Sequence, residues 1–285
     1  MKSQFYCPEC KNELSTFENK LHCNKCLQEY VCDGNYAIFD HYFPVNTESK
    51  TEIKDLITEI DRSNYEFAVE EFLILNPNFK SLLVYSKFDK SADIIFHGLG
   101  RNTSRCLEIK SELGNRSEIL SNIFRQVYSI EFNDEYVELQ KRRFNRKNCN
   151  NVSITKCDLL KLPFPDNFFD MVLCNGVLDN IATFIQTCSS SEAQKKLVLE
   201  LKRVINDNGC IIFGVKNKHG FKITENSNKK DNEILSKHGF SKYRSILEDS
   251  DLSVISYSLD QLSELEFNHE KLAKDYCIFV KPLCR

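Results

Sequence analysis

The chain has 285 residues, of which 41% are hydrophobic and 28% charged, as in folded globular proteins rather than disordered or membrane chains. This length predicts one α/β domain of ordinary size and a smaller module. The formal net charge of −3 gives no overall positive field, so a nucleic-acid partner would need a local basic patch. The sequence has neither a signal-peptide core nor a stretch of eighteen apolar residues, so we expect a cytoplasmic protein.

Two CxxC pairs lie near the N-terminus, Cys7 with Cys10 and Cys23 with Cys26, twelve residues apart. Each pair forms a tight turn that directs two thiolates toward one point, as tetrahedral Zn²⁺ requires. A redox pair or two disulfides are the alternatives, but a cytosolic chain has few other uses for this double spacing. Because four cysteine ligands leave no open position, the pattern predicts a structural zinc ribbon over residues 1–43.

The remaining chain changes pattern twice. Residues 44–93 contain a polar linker and then a helical lead-in, in which apolar residues recur at helical spacing. Residues 94–285 alternate strand-like and helical segments, which predicts βαβ units and a parallel sheet. The last two strand-like segments, LSVISYSL and DYCIFVKP, have no strong helix between them, which predicts an antiparallel pair at the end of the domain.

Candidate ligand-binding residues follow the first two strands of this domain, where a doubly wound sheet binds its ligand. The first strand contains Glu108 and leads into a turn that ends at Gly114, with Lys110 and Glu112 between them. Glu131 follows the second strand, at the distance where nucleotide-binding α/β folds place an acid on the ribose hydroxyls. The alternative for Glu131 is a solvated surface carboxylate.

Two further motifs follow the third and fourth strands. The third strand leads to Asp158 and Leu159, where a helix N-cap is the alternative for the aspartate. The fourth strand lies within the run LPFPDNFFDMVLCNGVLD at residues 162–179 and ends near Asn175. The helix that follows it leads through LKRV and an Asn-Gly turn into the fifth strand.

These motifs, in this order and spacing, resemble those of class I S-adenosylmethionine-dependent methyltransferases over roughly residues 95–282. The resemblance implies a Rossmann-like, doubly wound α/β sheet of seven strands whose last strand is antiparallel. Lys110 and Glu112 depart from it, since the family has glycines there. The N-terminal ribbon resembles the zinc-ribbon modules attached to or partnered with methyltransferases, which implies a protein partner. The residues that the resemblance assigns to S-adenosylmethionine are Glu108, Lys110, Gly114, Glu131, Asp158, Leu159 and Asn175.

A finer resemblance concerns the acceptor side of the site. The segments NGVLDN at residues 175–180 and VKNKHGFK at residues 215–222 are similar to those of methyltransferases encoded beside glycosyltransferases. This similarity implies a saccharide or another cell-envelope acceptor. A hydroxyl acceptor needs a base, and Asp179 and His219 can take a proton whereas Asn175 and Asn217 cannot. The sequence assigns no catalytic residue.

Three functions stay open at this point. The first is a methyltransferase acting on a small molecule or saccharide-type acceptor, which the retained Glu131 and Asp158 favour. The second is a catalytically inactive scaffold or binding protein, which Lys110 and Glu112 motivate. The third is an rRNA or tRNA base methyltransferase whose ribbon and basic helix grip phosphates, although positive charge late in a helix also suits its dipole. The basic residues of that helix are Lys141, Arg142, Arg143, Arg146 and Lys147.

Overall fold

The computed structural model describes residues 2–39, 51–79, 83, 103–185, 188–216, 240–258 and 275–282. The helices are α1 (Thr51–Arg62), α2 (Tyr65–Leu75), α3 (Asn115–Ser121), α4 (Asp134–Arg146), α5 (Ile181–Phe184), α6 (Ser190–Val204) and α7 (Phe240–Glu248). The strands are β1 (Lys2–Tyr6), β2 (Glu13–Phe17), β3 (Lys20–His22), β4 (Glu29–Asp33), β5 (Tyr36–Ile38), β6 (Arg105–Ile109), β7 (Gln126–Ile130), β8 (Val152–Lys156), β9 (Phe169–Asn175), β10 (Ile205–Lys216), β11 (Leu252–Ser258) and β12 (Asp275–Pro282).

The strands of the described segments form one sheet in the order β1-β2-β3-β4-β5-β8-β7-β6-β9-β10-β12-β11. Strands β6 to β10 pair in parallel, whereas β12 is antiparallel to both β10 and β11. This arrangement confirms the predicted doubly wound sheet of seven strands with an antiparallel last strand. Because β7 lies on one side of β6 and β9 on the other, the strand order reverses at β6. The ligand crevice of such a sheet lies at that reversal, outside the carboxyl ends of the strands.

Apolar residues on the two faces of the sheet belong to different cores. Leu107 and Ile109 of β6 join the core formed with α6, α7 and the N-terminal strands. Cys106, one position away, joins the core formed with α3 and α4. Burial on both faces explains why the central strands are almost continuously apolar. Three cysteines of β6, β9 and β10 are buried as small hydrophobic residues in these cores: Cys106, Cys174 and Cys210.

Helix α4 begins directly after the candidate ribose-binding acid, and its start is fixed by a side-chain cap. Asn133 Oδ1 accepts the Tyr136 N–H at 2.9 Å, which satisfies one of the free N–H groups at the helix start. Asp134 and Glu135 in the first turn add negative charge where the helix dipole favours it. The segment between β7 and α4 is therefore a short, well-determined turn beside Glu131.

The N-terminal ribbon is continuous with the methyltransferase-like sheet. Its last strand, β5, pairs in parallel with β8, and hydrogen bonds continue the pairing from Ile154 N–H to the Asn35 carbonyl at 2.7 Å and from Phe39 N–H to the Lys156 carbonyl at 2.8 Å. The Phe5 ring packs against the ring of Phe164, with 5.7 Å between centroids. The ribbon therefore shares both a sheet and a hydrophobic core with the larger domain.

Helices α1 and α2 form the predicted helical lead-in and pack on α4. Their apolar residues, among them Ile53, Leu56 and Phe72, bury Leu139 of α4 together with Leu113. Because Leu113 belongs to the turn after β6, the lead-in rests directly against that turn.

The predicted domain limits at residues 43 and 93 lie outside the described residues and stay predictions. Among the helices that the structure describes, none combines the length and apolar character that a bilayer crossing needs.

Candidate cofactor site and metal centre

The turn after β6 has an alternating left-handed backbone. Lys110, Glu112 and Gly114 have φ angles of 60°, 53° and 79°, a region that glycine enters freely and other residues enter at a cost of about 1–2 kcal/mol. A Cβ at Gly114 would also lie 2.8 Å from the Phe144 ring, so this position requires glycine. The turn therefore keeps the backbone of a glycine-rich loop at two positions that carry charged side chains.

Buried hydrogen bonds hold this turn in place. Glu131 Oε2 accepts the Glu112 N–H at 2.7 Å, and Gln140 Nε2 donates to the Glu112 carbonyl at 2.5 Å and to Ser111 Oγ at 2.9 Å. The Ser111 N–H bonds to the Ile130 carbonyl at 3.0 Å. Left-handed residues with side chains persist only where surrounding structure fixes them, and these bonds supply that constraint.

Glu131 lies in this network with 4% of its surface exposed, so the alternative of a solvated surface carboxylate is wrong. Besides the Glu112 N–H, its carboxylate accepts the N–H groups of Phe132 at 2.8 Å and Asn133 at 2.9 Å. Burial raises the pKa of Glu131 to about 7, although the three N–H groups favour the charged form. The structure therefore places Glu131 beside the Lys110–Gly114 turn, at the end of β7.

Glu108 is fully buried, and its carboxylate faces α3. It accepts a hydrogen bond from Arg116 Nε at 2.9 Å and another from Ser117 Oγ at 2.5 Å. Burial raises the pKa of Glu108, and Arg116 and Ser117 oppose that rise. Through these two bonds Glu108 links β6 to the first turn of α3.

Asp158 and Leu159 follow β8, at the same carboxyl-terminal edge of the parallel sheet as the turn after β6 and Glu131. Asp158 Oδ1 accepts the Leu160 N–H at 2.8 Å, so the aspartate closes an Asx turn rather than capping a helix, and the residues that follow it form turns. Leu159 is buried. The carboxylate oxygen Oδ2 of Asp158 is the second acceptor that this turn offers.

Asn175 ends β9 next to the close approach of β9 and β10. The Gly176 N–H donates to the Gly214 carbonyl at 2.8 Å, and a Cβ at position 214 would collide with the Asn175 side chain. Asp179 lies nearby in the chain and is fully buried. The other two acceptor-side residues, Asn217 and His219, lie outside the described residues.

The four paired cysteines form one compact cluster. All four Sγ atoms lie within 4.8 Å of one another, with 3.4 Å between Cys10 and Cys23 and 3.5 Å between Cys7 and Cys26. Sulfurs bound to zinc at about 2.3 Å in a tetrahedron lie about 3.8 Å apart, so the donor set fits Zn²⁺. These distances exceed the ~2.05 Å of a disulfide, and the cysteines are free thiols.

The two cysteine turns have matching backbones. The Lys11 N–H bonds to the Cys7 carbonyl at 2.8 Å, and the Leu27 N–H bonds to the Cys23 carbonyl at 2.9 Å. Lys11 and Leu27 are both left-handed, with φ of 55° and 62°. The two cysteine turns therefore have the same backbone shape, and their sulfur atoms meet in one cluster that could hold a metal ion.

Carboxylates neutralise the basic residues of α4 and Lys147, the residue that follows the helix. Arg142 bonds to Asp61 of α1 at 2.7 Å, and Arg146 and Lys147 both contact Glu66 of α2. The remaining two pairs are Lys141 with Glu138 at 2.8 Å and Arg143 with Glu118 at 2.6 Å. A helix whose cations are already paired offers little free positive charge to phosphates.

Comparison with known proteins agrees with this geometry. Residues 107–213 match the family model described as a methyltransferase domain. No curated protein matches the chain. This span contains the turn, Glu131, Asp158 and Asn175, so the part of the chain that holds the candidate site is similar to a methyltransferase domain.

Solved structures show the same fold at low sequence identity. An S-adenosylmethionine-dependent methyltransferase from Clostridium acetobutylicum is 13% identical with a TM-score of 0.55, over 75% of this chain and 98% of that chain. The CcbJ methyltransferase from Streptomyces caelestis is 10% identical with a TM-score of 0.55, over 69% and 90%. A chain from the complex between the Haloferax volcanii Trm112 methyltransferase activator and a methyltransferase is 12% identical with a TM-score of 0.54, over 76% and 96%.

Proposed function

We propose that this chain transfers a methyl group from S-adenosylmethionine to a small-molecule or saccharide-type acceptor. The observation that supports it most is the left-handed turn from Lys110 to Gly114, which Glu131 and Gln140 hold at the strand-order reversal. Maintaining left-handed lysine and glutamate is unfavourable. Contacts between this turn and a bound cofactor would offset that unfavourable backbone conformation.

The adenosine half of the cofactor has fitting partners. A carboxylate offers about four acceptor positions, and Glu131 uses three of them for backbone N–H groups, with a single bond at Oε2. The remaining position suits a ribose hydroxyl. Asp158 Oδ2 would accept from the adenine amino group, and buried Leu159 would pack on the base beside it. Gly114 ends the turn after β6 and Asn175 ends the neighbouring parallel strand β9, so both would lie close to the cofactor.

The chemistry then depends mainly on alignment. The cofactor supplies an electrophilic methyl group on a cationic sulfur, and the protein has to hold acceptor, methyl and sulfur in line away from water. The fixed turn and the strand ends of β7 and β9 provide such a rigid frame. A hydroxyl acceptor would also need a base, and no residue is assigned to that role.

We also propose that Cys7, Cys10, Cys23 and Cys26 bind one structural zinc ion. The ribbon that they form contacts the loop after Asp158. Lys11 Nζ donates to the Leu162 carbonyl at 3.2 Å and contacts Glu200 at the same distance. The Tyr6 N–H bonds to the Pro163 carbonyl at 3.0 Å, and Lys161 pairs with Glu9 at 3.0 Å. These contacts tie the first knuckle to the proposed adenine loop.

This placement suggests that the ribbon acts as a built-in activator. In the Haloferax volcanii complex an activator is bound to a methyltransferase. Here the ribbon extends the methyltransferase sheet through β5 and β8 of a single chain. We propose that it stabilises the loop from Asp158 to Pro165, and that its exposed outer face is available to a protein partner.

Calorimetric titration with S-adenosylmethionine and S-adenosylhomocysteine tests the proposed function. Both ligands should bind at one site per chain, and the product should compete with the donor. A natural protein that binds neither ligand would contradict the proposal. It would favour instead the catalytically inactive scaffold, for which the Lys110–Glu112 ion pair of 3.3 Å across the turn is the specific observation.

The base methyltransferase acting on rRNA or tRNA is the less favoured alternative. Its phosphate grip would rest on the basic residues of α4, and α1, α2 and α4 itself provide carboxylates for them. A gel-shift titration with structured RNA at low and physiological salt checks this point. RNA binding that weakens steeply with increasing salt would indicate phosphate contacts and would favour the RNA methyltransferase alternative.

A further inference from the structure

We infer that Lys110 and Glu112 together recognise the zwitterionic amino-acid end of the cofactor, with Lys110 on its carboxylate and Glu112 on its ammonium group. This inference rests on the proposed function, because it requires the cofactor to lie across the turn after β6. Lys110 Nζ lies 3.3 Å from Glu112 Oε1, and the two side chains are 32% and 24% exposed. They therefore lie on the same side of the turn and are partly open to solvent.

The pair is electrically complementary to an α-amino acid. An amino acid carries one positive and one negative group on the same carbon, and the Lys110–Glu112 pair presents the opposite charges at a similar spacing. Two ion pairs can therefore replace one when the cofactor enters. A partly exposed ion pair contributes little stability, so opening it is easy, whereas pairs formed with a ligand in a less hydrated crevice are stronger.

The backbone under Glu112 is fixed on both sides. Its N–H is bound by Glu131 and its carbonyl by Gln140, so the Glu112 carboxylate begins from a defined position. Lys110 has a longer, more flexible side chain that can follow the ligand.

The surrounding charges favour an ammonium group near Glu112. The Glu112 carboxylate lies close enough to Glu131 to disfavour ionisation of that residue. The other acid of this region, Glu108, is already paired with Arg116. When Glu131 is ionised, the turn carries more negative charge than Lys110 neutralises, and a cationic group relieves it.

Comparison of two ligands separates this recognition from adenosine binding. S-adenosylhomocysteine and 5′-methylthioadenosine share the adenosine and the sulfur, but the second lacks the amino-acid end. By calorimetry, the wild-type protein should bind S-adenosylhomocysteine at least about tenfold more tightly. Lys110→Met and Glu112→Gln should each reduce this preference by about tenfold and leave methylthioadenosine affinity unchanged.

Matched controls keep the comparison interpretable. Lys147 also lies 3.3 Å from a glutamate, with 36% of its side chain exposed, so Lys147→Met should leave both affinities unchanged. Lys110→Arg should retain much of the preference for S-adenosylhomocysteine, because it keeps the positive charge that Lys110→Met removes. Thermal melting of each variant checks that it is folded.

Two results would overturn the inference. The first is wild-type protein that binds the two ligands equally. The second is a Lys110→Met variant that weakens both ligands by the same factor, which would indicate a general role in the shape of the turn. In both cases adenosine binding, and with it the proposed function, would stand. Wild-type protein that binds neither ligand would instead overturn the proposed function, and the inference with it.

Discussion

The Glu131 carboxylate accepts the backbone N–H of Glu112 at 2.7 Å, so the end of β7 holds the middle of the turn that follows β6. A single buried acid thus links the proposed ribose site to the proposed amino-acid site. Any change in its ionisation is expected to affect both ends of the cofactor and the stability of the fold.

The first prediction concerns pH and stability. The pKa of Glu131 is about 7 in the folded protein, against an ordinary value of 4.5. Between these values the folded state binds more protons than the unfolded chain, so the free energy of unfolding falls as pH rises from about 4.5 to 7. In the wild-type protein this decrease in the free energy of unfolding should be on the order of 2–3 kcal/mol, and in Glu131→Gln it should be absent. Urea unfolding of both proteins at pH 5 and pH 7.5 measures the difference.

The same residue predicts a pH dependence of cofactor binding with the opposite sign. A charged carboxylate binds hydroxyl groups more strongly than a neutral carboxyl, so S-adenosylhomocysteine affinity should fall as pH decreases below 7. In Glu131→Gln the affinity should be about tenfold or more weaker and nearly independent of pH. Glu138→Gln, on the exposed side of α4, is the control. A variant of Glu131 with wild-type affinity would remove this carboxylate from the site.

The second prediction concerns the metal. Purified protein should contain one zinc per chain, and Cys7→Ser or Cys23→Ser should abolish it because each removes one of four ligands. Structural zinc contributes on the order of 10 kcal/mol to the folding of small modules, so the ribbon should unfold in these variants. Elemental analysis and thermal melting measure both effects.

Cys32 provides the matched control for the zinc site. It is a neighbouring free thiol outside the four-sulfur cluster, so Cys32→Ser should retain the metal and the melting temperature. Full zinc content in Cys7→Ser would show that the assigned ligand set is wrong.

The third prediction concerns communication between the ribbon and the adenine loop. Lys11→Met removes the bonds to the Leu162 carbonyl and to Glu200. Since one such bond is worth about 1 kcal/mol, S-adenosylhomocysteine affinity should fall roughly threefold to tenfold. Lys20→Met is the control, because Lys20 belongs to the same ribbon and pairs only with exposed Glu29 in the described part of the chain. Equal affinities in the two variants would show that the ribbon does not support the loop.

The fourth prediction concerns the two left-handed residues. Lys110→Gly and Glu112→Gly relieve an unfavourable backbone conformation, which outweighs the greater freedom of glycine in the unfolded chain. Each should raise the free energy of unfolding by roughly 0.5–1 kcal/mol, whereas Lys141→Gly in the middle of α4 should lower it by about 1 kcal/mol. Urea unfolding measures these changes.

The same glycine variants decide between enzyme and scaffold. A methyltransferase that uses Lys110 should bind cofactor no better after Lys110→Gly. A pseudoenzyme whose turn is closed by the ion pair should gain binding from an undetectable start. Calorimetric titration of both variants measures this, and such a gain would contradict the methyltransferase function of the natural protein.

Local sequence patterns predicted much of the fold and the position of the site. Alternating strand and helix segments predicted βαβ units and a parallel sheet, and the resemblance to class I methyltransferases implied seven strands. Glu131 and Asp158 were expected after the second and third strands. These features depend on residues close together in the chain. The backbone of the turn was not predictable in this way, because lysine and glutamate rarely adopt left-handed conformations.

The features that the sequence did not predict depend on contacts between residues that are far apart in the chain. Gln140 fixes the turn from α4, and its only local sign is a polar residue among the buried positions of that helix. The basic residues of α4 form a positive cluster in the sequence, yet Asp61 and Glu66 neutralise part of it from α1 and α2. Asp158 forms a turn where a helix cap was the alternative, because the chain after it is held by Glu200 of α6.

The pairing of β5 with β8 has a consequence for biosynthesis. The ribbon is translated before the larger domain, and its four cysteines are close enough in the chain to bind metal early. Tyr36 pairs with Ile154, however, so β5 is an uncovered edge until β8 emerges from the ribosome. Exposed edges pair readily with other chains, and such distant pairings form slowly. The nascent protein should therefore be most prone to aggregation after its ribbon has folded and before its third parallel strand is made.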